Sequence, residues 1–272
     1  MSAPALASRY RTAFVTGAST GLGRAFADML LAGGVEVWGT ARDLVRLPAR
    51  DKFHPVALEL SDGVGAEKIF LDVEHAAGGF DLVINNAGYG VFGSFAGTDF
   101  SVWEQQLELM LVHTARLSHA ALRGQLARRR GALVNVSSLA AEFPLPYQSA
   151  YNMVKSGLSA LNESLMFETA GTGVIIIDFR PGDYRTDFEG SVRRPAPITE
   201  ARQQRVWAAF GRMMQSGPAP AHAAESLRRA LLRGRSGTVR TGRFFQAVLG
   251  PFLARLGPLP LRRAILARYF GL

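Results

Sequence analysis

The sequence predicts a doubly wound α/β fold: one parallel β-sheet with helices on both of its faces. Three observations carry that expectation. Short runs rich in β-branched and aromatic residues recur along the chain, mostly apolar on both faces, as in buried parallel strands. Longer helix-like segments separate them, and such alternation builds crossover units. Glycine and polar turn residues mark the run ends. The first strand is read at "TAFVTG" (12–17), the second at "VEVWGT" (35–40) and the third at "HPVALEL" (54–60). "DLVINN" (81–86), "GALVNVSS" (131–138) and "GVIIIDFRPG" (173–182) complete the six. Helices are expected over 22–33, 63–78, 100–129 and 150–170. No repeat and no Pro/Gly-rich linker divides the chain before residue 190, so 1–272 reads as a single domain.

Composition narrows the chemistry. With 272 residues the chain can bury a sizeable core, and 48% hydrophobic against 19% charged residues is a globular balance. No apolar run reaches the ~18 residues of a membrane span. The first residues, "MSAPALASRYRTAFVTGA", lack a basic region followed by an apolar one, so a soluble cytoplasmic protein is expected. The absence of cysteine excludes disulfides, thiolate metal sites and Cys nucleophiles. The five histidines show no i, i+4 pair, and no metal site is expected. Charge is split along the chain. Residues 1–189 hold 16 Lys/Arg against 20 Asp/Glu, a net of −4, whereas 190–272 hold 15 Arg against Glu200 and Glu225, a net of +13.

In such sheets ligands sit at the carboxyl ends of the strands. There the first strand runs into "TGASTGLGRAFA" (16–27), whose Gly17, Gly21 and Gly23 allow a tight turn and a close approach of backbone to pyrophosphate. "GASTG" also fits a nucleophile elbow with Ser19 as nucleophile, but an elbow belongs deep in the sheet, and only 16 residues precede this turn. The fourth strand ends in "NNAG" (85–88), ordinary turn chemistry in isolation. The fifth ends in "NVSSLAA", with Ser138 thirteen residues before Tyr151. Tyr151 and Lys155 stand one helical turn apart in "SAYNMVKSGL", on one face.

In this order and register the segments resemble the short-chain dehydrogenase/reductase family over residues 10–190. "PGDYRT" (181–186) fits that family's P-G-x-x-x-T. The resemblance implies a Rossmann-like fold, a nicotinamide cofactor and a homodimer or homotetramer acting on a small alcohol or carbonyl. It makes Tyr151 the acid/base, Lys155 the group that tunes it and binds the nicotinamide ribose, and Ser138 the partner of the reacting oxygen. A Lys cation ~4 Å from a phenol at an effective dielectric of ~20 contributes on the order of 4 kcal/mol towards the phenolate. The Tyr151 pKa is therefore expected to fall from its usual ~10. The cofactor is expected on Gly17, Ser19, Thr20, Gly21, Leu22, Gly23, Glu59, Leu60, Asn86, Ala87, Gly88, Tyr151, Lys155, Pro181, Gly182, Tyr184 and Thr186.

NAD-selective relatives place an acid at the end of the second strand. Here "VEVWGTARDL" gives Ala41 and then Arg42, which suits the 2′-phosphate of NADP, with Asp43 as a possible offset. Another position departs from the family. The Asn about 28 residues before the Ser, which bends a helix and anchors a water chain to the Lys, is Met110. Either the relay is altered, through His113, Thr114 or solvent, or the protein binds cofactor with little turnover. Phe92, Phe95, Phe143, Leu145 and Tyr147 suggest an apolar substrate pocket. A substrate lid is expected over about 187–218, with a helix at 198–214. The tail, 244–272, mixes Phe, Leu and Ile with Arg255, Arg262, Arg263 and Arg268. It suits packing on its own domain or across a subunit interface, or contact with anionic lipid or an acidic carrier. No recognised motif for nucleic acid accompanies the charge.

Overall fold

The computed structural model describes residues 6–252 and 258–272. Seven parallel strands form one sheet: β1 (Thr12–Val15), β2 (Glu36–Ala41), β3 (Phe53–Ala57), β4 (Leu82–Asn85), β5 (Gly131–Val136), β6 (Val174–Pro181) and β7 (Gly237–Thr241). Their order is β3-β2-β1-β4-β5-β6-β7, so the chain reverses direction across the sheet between β1 and β4. That reversal opens a crevice at the carboxyl ends of the two strands.

The period of two along each strand divides the core. Phe14, Val83, Leu133 and Ile176 pair in register across four strands and point to one face. There they meet Phe70 of α2 (Gly63–Ala76) and Leu117 of α4 (His113–Ala127). Their neighbours Val15, Ile84, Val134 and Ile177 point to the other face, against Phe26 and Leu30 of α1 (Gly21–Ala32) and Leu227 of α8 (Pro220–Arg233). Burial on both faces is why the strands read as continuous apolar runs.

The six expected strands are present, with β3 ending at Ala57 where Leu58 and Leu60 turn into the core. β7 and α8 were not foreseen. β7, "GTVRT", is a short edge strand with only its last residue buried, so it carries little apolar signal. The expected helix over 100–129 is interrupted: α3 (Phe100–Leu107) passes through a π-turn (Glu108–Val112) into α4. The remaining helices are α5 (Ser149–Glu168), α6 (Phe188–Ser191), α7 (Ala201–Gln215) and a C-terminal helix, α9 (Leu259–Phe270). α7 is the helix expected at 198–214. Among the described residues no helix is long and apolar enough to cross a membrane.

Candidate active site

The glycine-rich turn and the "NNAG" turn are built as one unit. The Thr16 hydroxyl accepts from the backbone N–H of Asn86 (2.9 Å) and of Ala87 (3.0 Å). The Asn86 amide returns a bond to the Thr16 carbonyl at 3.1 Å. Gly17 and Gly21 have φ of 68° and 55°, the left-handed region that glycine reaches without strain. A Cβ on Gly23 would lie 2.1 Å from the Gly17 carbonyl oxygen, so only glycine lets α1 start this close to the turn. The product is a backbone cradle facing the N-terminus of a twelve-residue helix, a ready site for pyrophosphate.

On the far side of the crevice, β5 and α5 supply the polar groups. The Ser138 hydroxyl accepts from the Ala140 N–H at 3.0 Å and hydrogen-bonds Tyr151. Tyr151, Lys155 and Ser138 are all buried. Lys155 donates to the Val136 carbonyl at 2.7 Å and lies over the Tyr151 ring, 5.4 Å from its centroid. The expected fall in the Tyr151 pKa is not what this arrangement produces. Burial pushes the phenol up to about 12, against the Ser138 hydrogen bond, and the Asp183 carboxyl adds to the rise. Burial also pushes Lys155 down to about 8, opposed by Asp178. Desolvation penalises the charged form of both groups, and here it outweighs the Ser138 hydrogen bond and the Asp178 charge that oppose it.

Met110 sits at the centre of the π-turn, buried. Its sulfur accepts from the Tyr89 backbone N–H at 3.4 Å, and its methyl group fills the space a Cβ on Gly88 would need. The helix is thus deformed where the family's Asn bends it, with a thioether inside. Neither suggested substitute reaches Tyr151. His113 is held by the Leu60 carbonyl at 2.6 Å, beside Gly63, and Thr114 is buried in α4. Beneath Lys155 a buried chain of side chains crosses the sheet. Asn85 donates to Asn135 (2.8 Å), Asn135 to Asn162 (2.7 Å) and Asn162 to Asp178 (3.2 Å). Asp178 also accepts from Ser159 and from Arg180, each at 2.7 Å.

Met110, Ser138, Tyr151, Lys155 and the two turns line one cavity of about 1480 Å³. It reaches every expected cofactor position except Gly23, which backs the turn, and it includes Arg42, Phe143 and Leu145. The substrate expectation is corrected at three residues. Phe92 and Tyr147 pack together behind the wall, with ring centroids 5.5 Å apart, and Phe95 stacks outside on Trp103. Tyr184 also turns its ring away, its hydroxyl bonding Thr241 (2.7 Å) and His222 (2.9 Å). Asp183 was missed, although an acid directly after "RPG" was legible; its carboxyl meets Gln246 and Tyr269 at the roof of the cavity. The roof residues themselves, including Phe210, Met214, Leu266 and Phe270, carried no motif.

A dinucleotide cradle opposite a buried Ser, Tyr and Lys on a doubly wound sheet defines a nicotinamide-dependent oxidoreductase class. The comparisons with known proteins agree. The family model for short chain dehydrogenase matches residues 11–196. A short chain dehydrogenase of Pseudocercospora fijiensis is 33% identical over 188 residues, covering 65% of this chain and 61% of that protein. The crystal structure of a short-chain dehydrogenase from Streptomyces avermitilis is 29% identical, with a TM-score of 0.80, covering 95% of this chain and 97% of that one. A metagenomic short-chain oxidoreductase solved in complex with NADP is 27% identical, with a TM-score of 0.65, covering 81% and 90%. The chain belongs to the short-chain dehydrogenase/reductase family and, with it, to the NAD(P)-dependent oxidoreductases.

Proposed function

We propose that the protein is an NADP-dependent oxidoreductase that interconverts an alcohol and a ketone or aldehyde on an apolar substrate. The observation that carries this reading is the placement of Ser138, Tyr151 and Lys155 in one largely apolar cavity that also reaches the glycine-rich cradle. When bound, the nicotinamide supplies or accepts the hydride. The turns at Gly17–Gly23 and Asn86–Gly88 would hold the nucleotide, Lys155 its ribose, and Pro181, Gly182 and Thr186 the nicotinamide end. Arg42 supports the preference for NADP: it stands exposed at the end of β2, and no ion pair among the described residues engages it. Asp43 is occupied as the cap of the turn that follows, accepting from the Val45 N–H at 3.0 Å.

At neutral pH a phenol held near 12 is protonated, the form that donates to a carbonyl oxygen. Ser138 steadies the oxygen as it gains charge. Lys155, below, offsets the phenolate left behind until a proton returns. A homo-oligomer, as the family generally forms, is the proposed assembly. A second reading, a cofactor-binding protein with little turnover, is favoured by Met110 alone. Oxidation of NADPH, followed with a panel of apolar ketones, separates the two. Ketone-dependent oxidation supports the enzyme, and tight NADPH binding without it supports the binder.

A further inference from the structure

We propose that the outer surface of residues 244–252 and 258–272 is a docking surface for an anionic lipid bilayer, placing the cavity mouth against the membrane. The lipid surface stands on its own observations; that the apolar substrate enters from the bilayer rests on the function proposed above.

Among the described residues 10 of the 20 exposed large apolar side chains lie in the stretch 244–272; Phe245, Leu261, Ile265 and Tyr269 line the cavity, and Phe244, Val248, Leu249, Phe252, Leu259 and Leu272 lie off it. Phe244 is 73% exposed, Phe252 61% and Leu259 54%. Such a concentration exceeds the scattered surface apolar residues of a soluble monomer. The stretch carries four Arg and no Asp or Glu. Arg263 and Arg268 are exposed, and no ion pair among the described residues involves either. Exposed apolar groups interleaved with unpaired cations are what a bilayer interface with anionic headgroups accepts.

Charge decides between the bilayer and a second copy of this chain. The stretch itself carries a net side-chain charge of +4, so joining two such segments face to face would bring like charges together. An anionic headgroup layer complements them.

The inner side of the same segment explains why the placement matters. Phe270 is buried against Val206, Phe210 and Met214, and Leu266 packs on this cluster. Phe245, Leu261 and Tyr269 line the cavity, and Gln246 joins Tyr269 (2.8 Å) to Asp183 at its roof. Residues 245–250 and α9 therefore lie between the cavity and the proposed lipid face. Removing them whole would open the core at Phe270, so point variants on their outer side are the better probe.

The test is co-sedimentation of the full-length protein with vesicles of phosphatidylcholine alone or mixed with phosphatidylglycerol, at low and high salt. Partition onto the anionic vesicles at low salt, relieved by salt, is expected. Arg263→Glu with Arg268→Glu, and separately Phe244→Ser with Phe252→Ser, should each weaken it at least about tenfold. Both pairs lie off the cavity lining, so unchanged melting temperature and unchanged turnover of a water-soluble ketone are expected. A parent that ignores anionic vesicles at low salt overturns the proposal. So does capture only by an acidic carrier protein, or a Phe pair whose sole effect is to split an oligomer. Vesicle binding by a parent inactive on every ketone would overturn the oxidoreductase reading instead and leave the lipid surface standing.

Discussion

The cofactor half of the molecule, up to Thr186, and the last third that roofs the cavity are specified by different physics. In the first, backbone conformation sets the site. Gly23 has no room for a Cβ, Gly17 and Gly21 sit in the left-handed region that glycine reaches without strain, and Thr16 and Asn86 lock two turns through three hydrogen bonds of 2.9 to 3.1 Å. In the second, apolar contact does the holding, among Val206, Phe210, Met214 and Phe270, and any side chain of similar volume would serve. Constraint by backbone leaves motifs in a sequence, whereas constraint by volume leaves only composition. A single alteration should therefore cost far more in one half than in the other.

Glycine substitutions sharpen that contrast most. Gly23→Ala puts a methyl group into the Gly17 carbonyl and should cost about 1–3 kcal/mol or more, with loss of cofactor binding. Gly190→Ala, in α6, meets nothing within 4 Å and should stay within about 0.5 kcal/mol of the parent. Thermal melts with and without NADPH give both numbers; equal costs would break the comparison. Arg42→Asp comes next. Removing a charge-assisted contact worth about 1.5–3 kcal/mol should lower the NADPH preference roughly 10- to 100-fold, read as the ratio of kcat/KM for the two cofactors. Comparable kcat/KM values for both in the parent would reject the assignment of Arg42.

Met110→Asn has the smallest expected effect and addresses the position where the chain leaves its family. The thioether already accepts the Tyr89 N–H, so the carbonyl of an Asn can take over that bond. Its amide N–H groups gain no assured partner in the buried π-turn. A loss of about 1–2 kcal/mol in stability with no gain in rate is expected. A marked gain in rate would show instead that the missing relay limits turnover.

The same division governs what could be read from the sequence. Six of seven strands and the turns at Gly17–Gly23 and Asn86–Gly88 were legible, because apolar runs ending in Gly or Asn have few other uses. Phe92 and Tyr147 were misplaced because an aromatic residue near a site loop reads alike whether it faces the cavity or backs its wall. The direction of the Tyr151 shift was missed for a related reason. Spacing brings Lys155 near the ring, but burial and the bond to Val136 are tertiary facts. β7 went unseen because an edge strand with one buried residue carries little apolar pattern, whereas α8 did carry one, Ala223, Ala224, Leu227, Ala230 and Leu231 at helical spacing, and it was overlooked. Asp178 and Asp183 did carry a signal, an acid within an apolar strand and an acid closing the next turn. Only the structure shows the first beneath Lys155 and the second beside Tyr151.

The most direct test of the catalytic assignment compares the parent with Tyr151→Phe on one accepted ketone, in single-turnover NADPH oxidation with the cofactor saturating. The phenyl ring keeps the packing and removes only the hydroxyl group, so NADPH should bind with nearly parental affinity. The rate should fall at least ~10²-fold. A mutant that oxidises NADPH as fast as the parent would contradict the account.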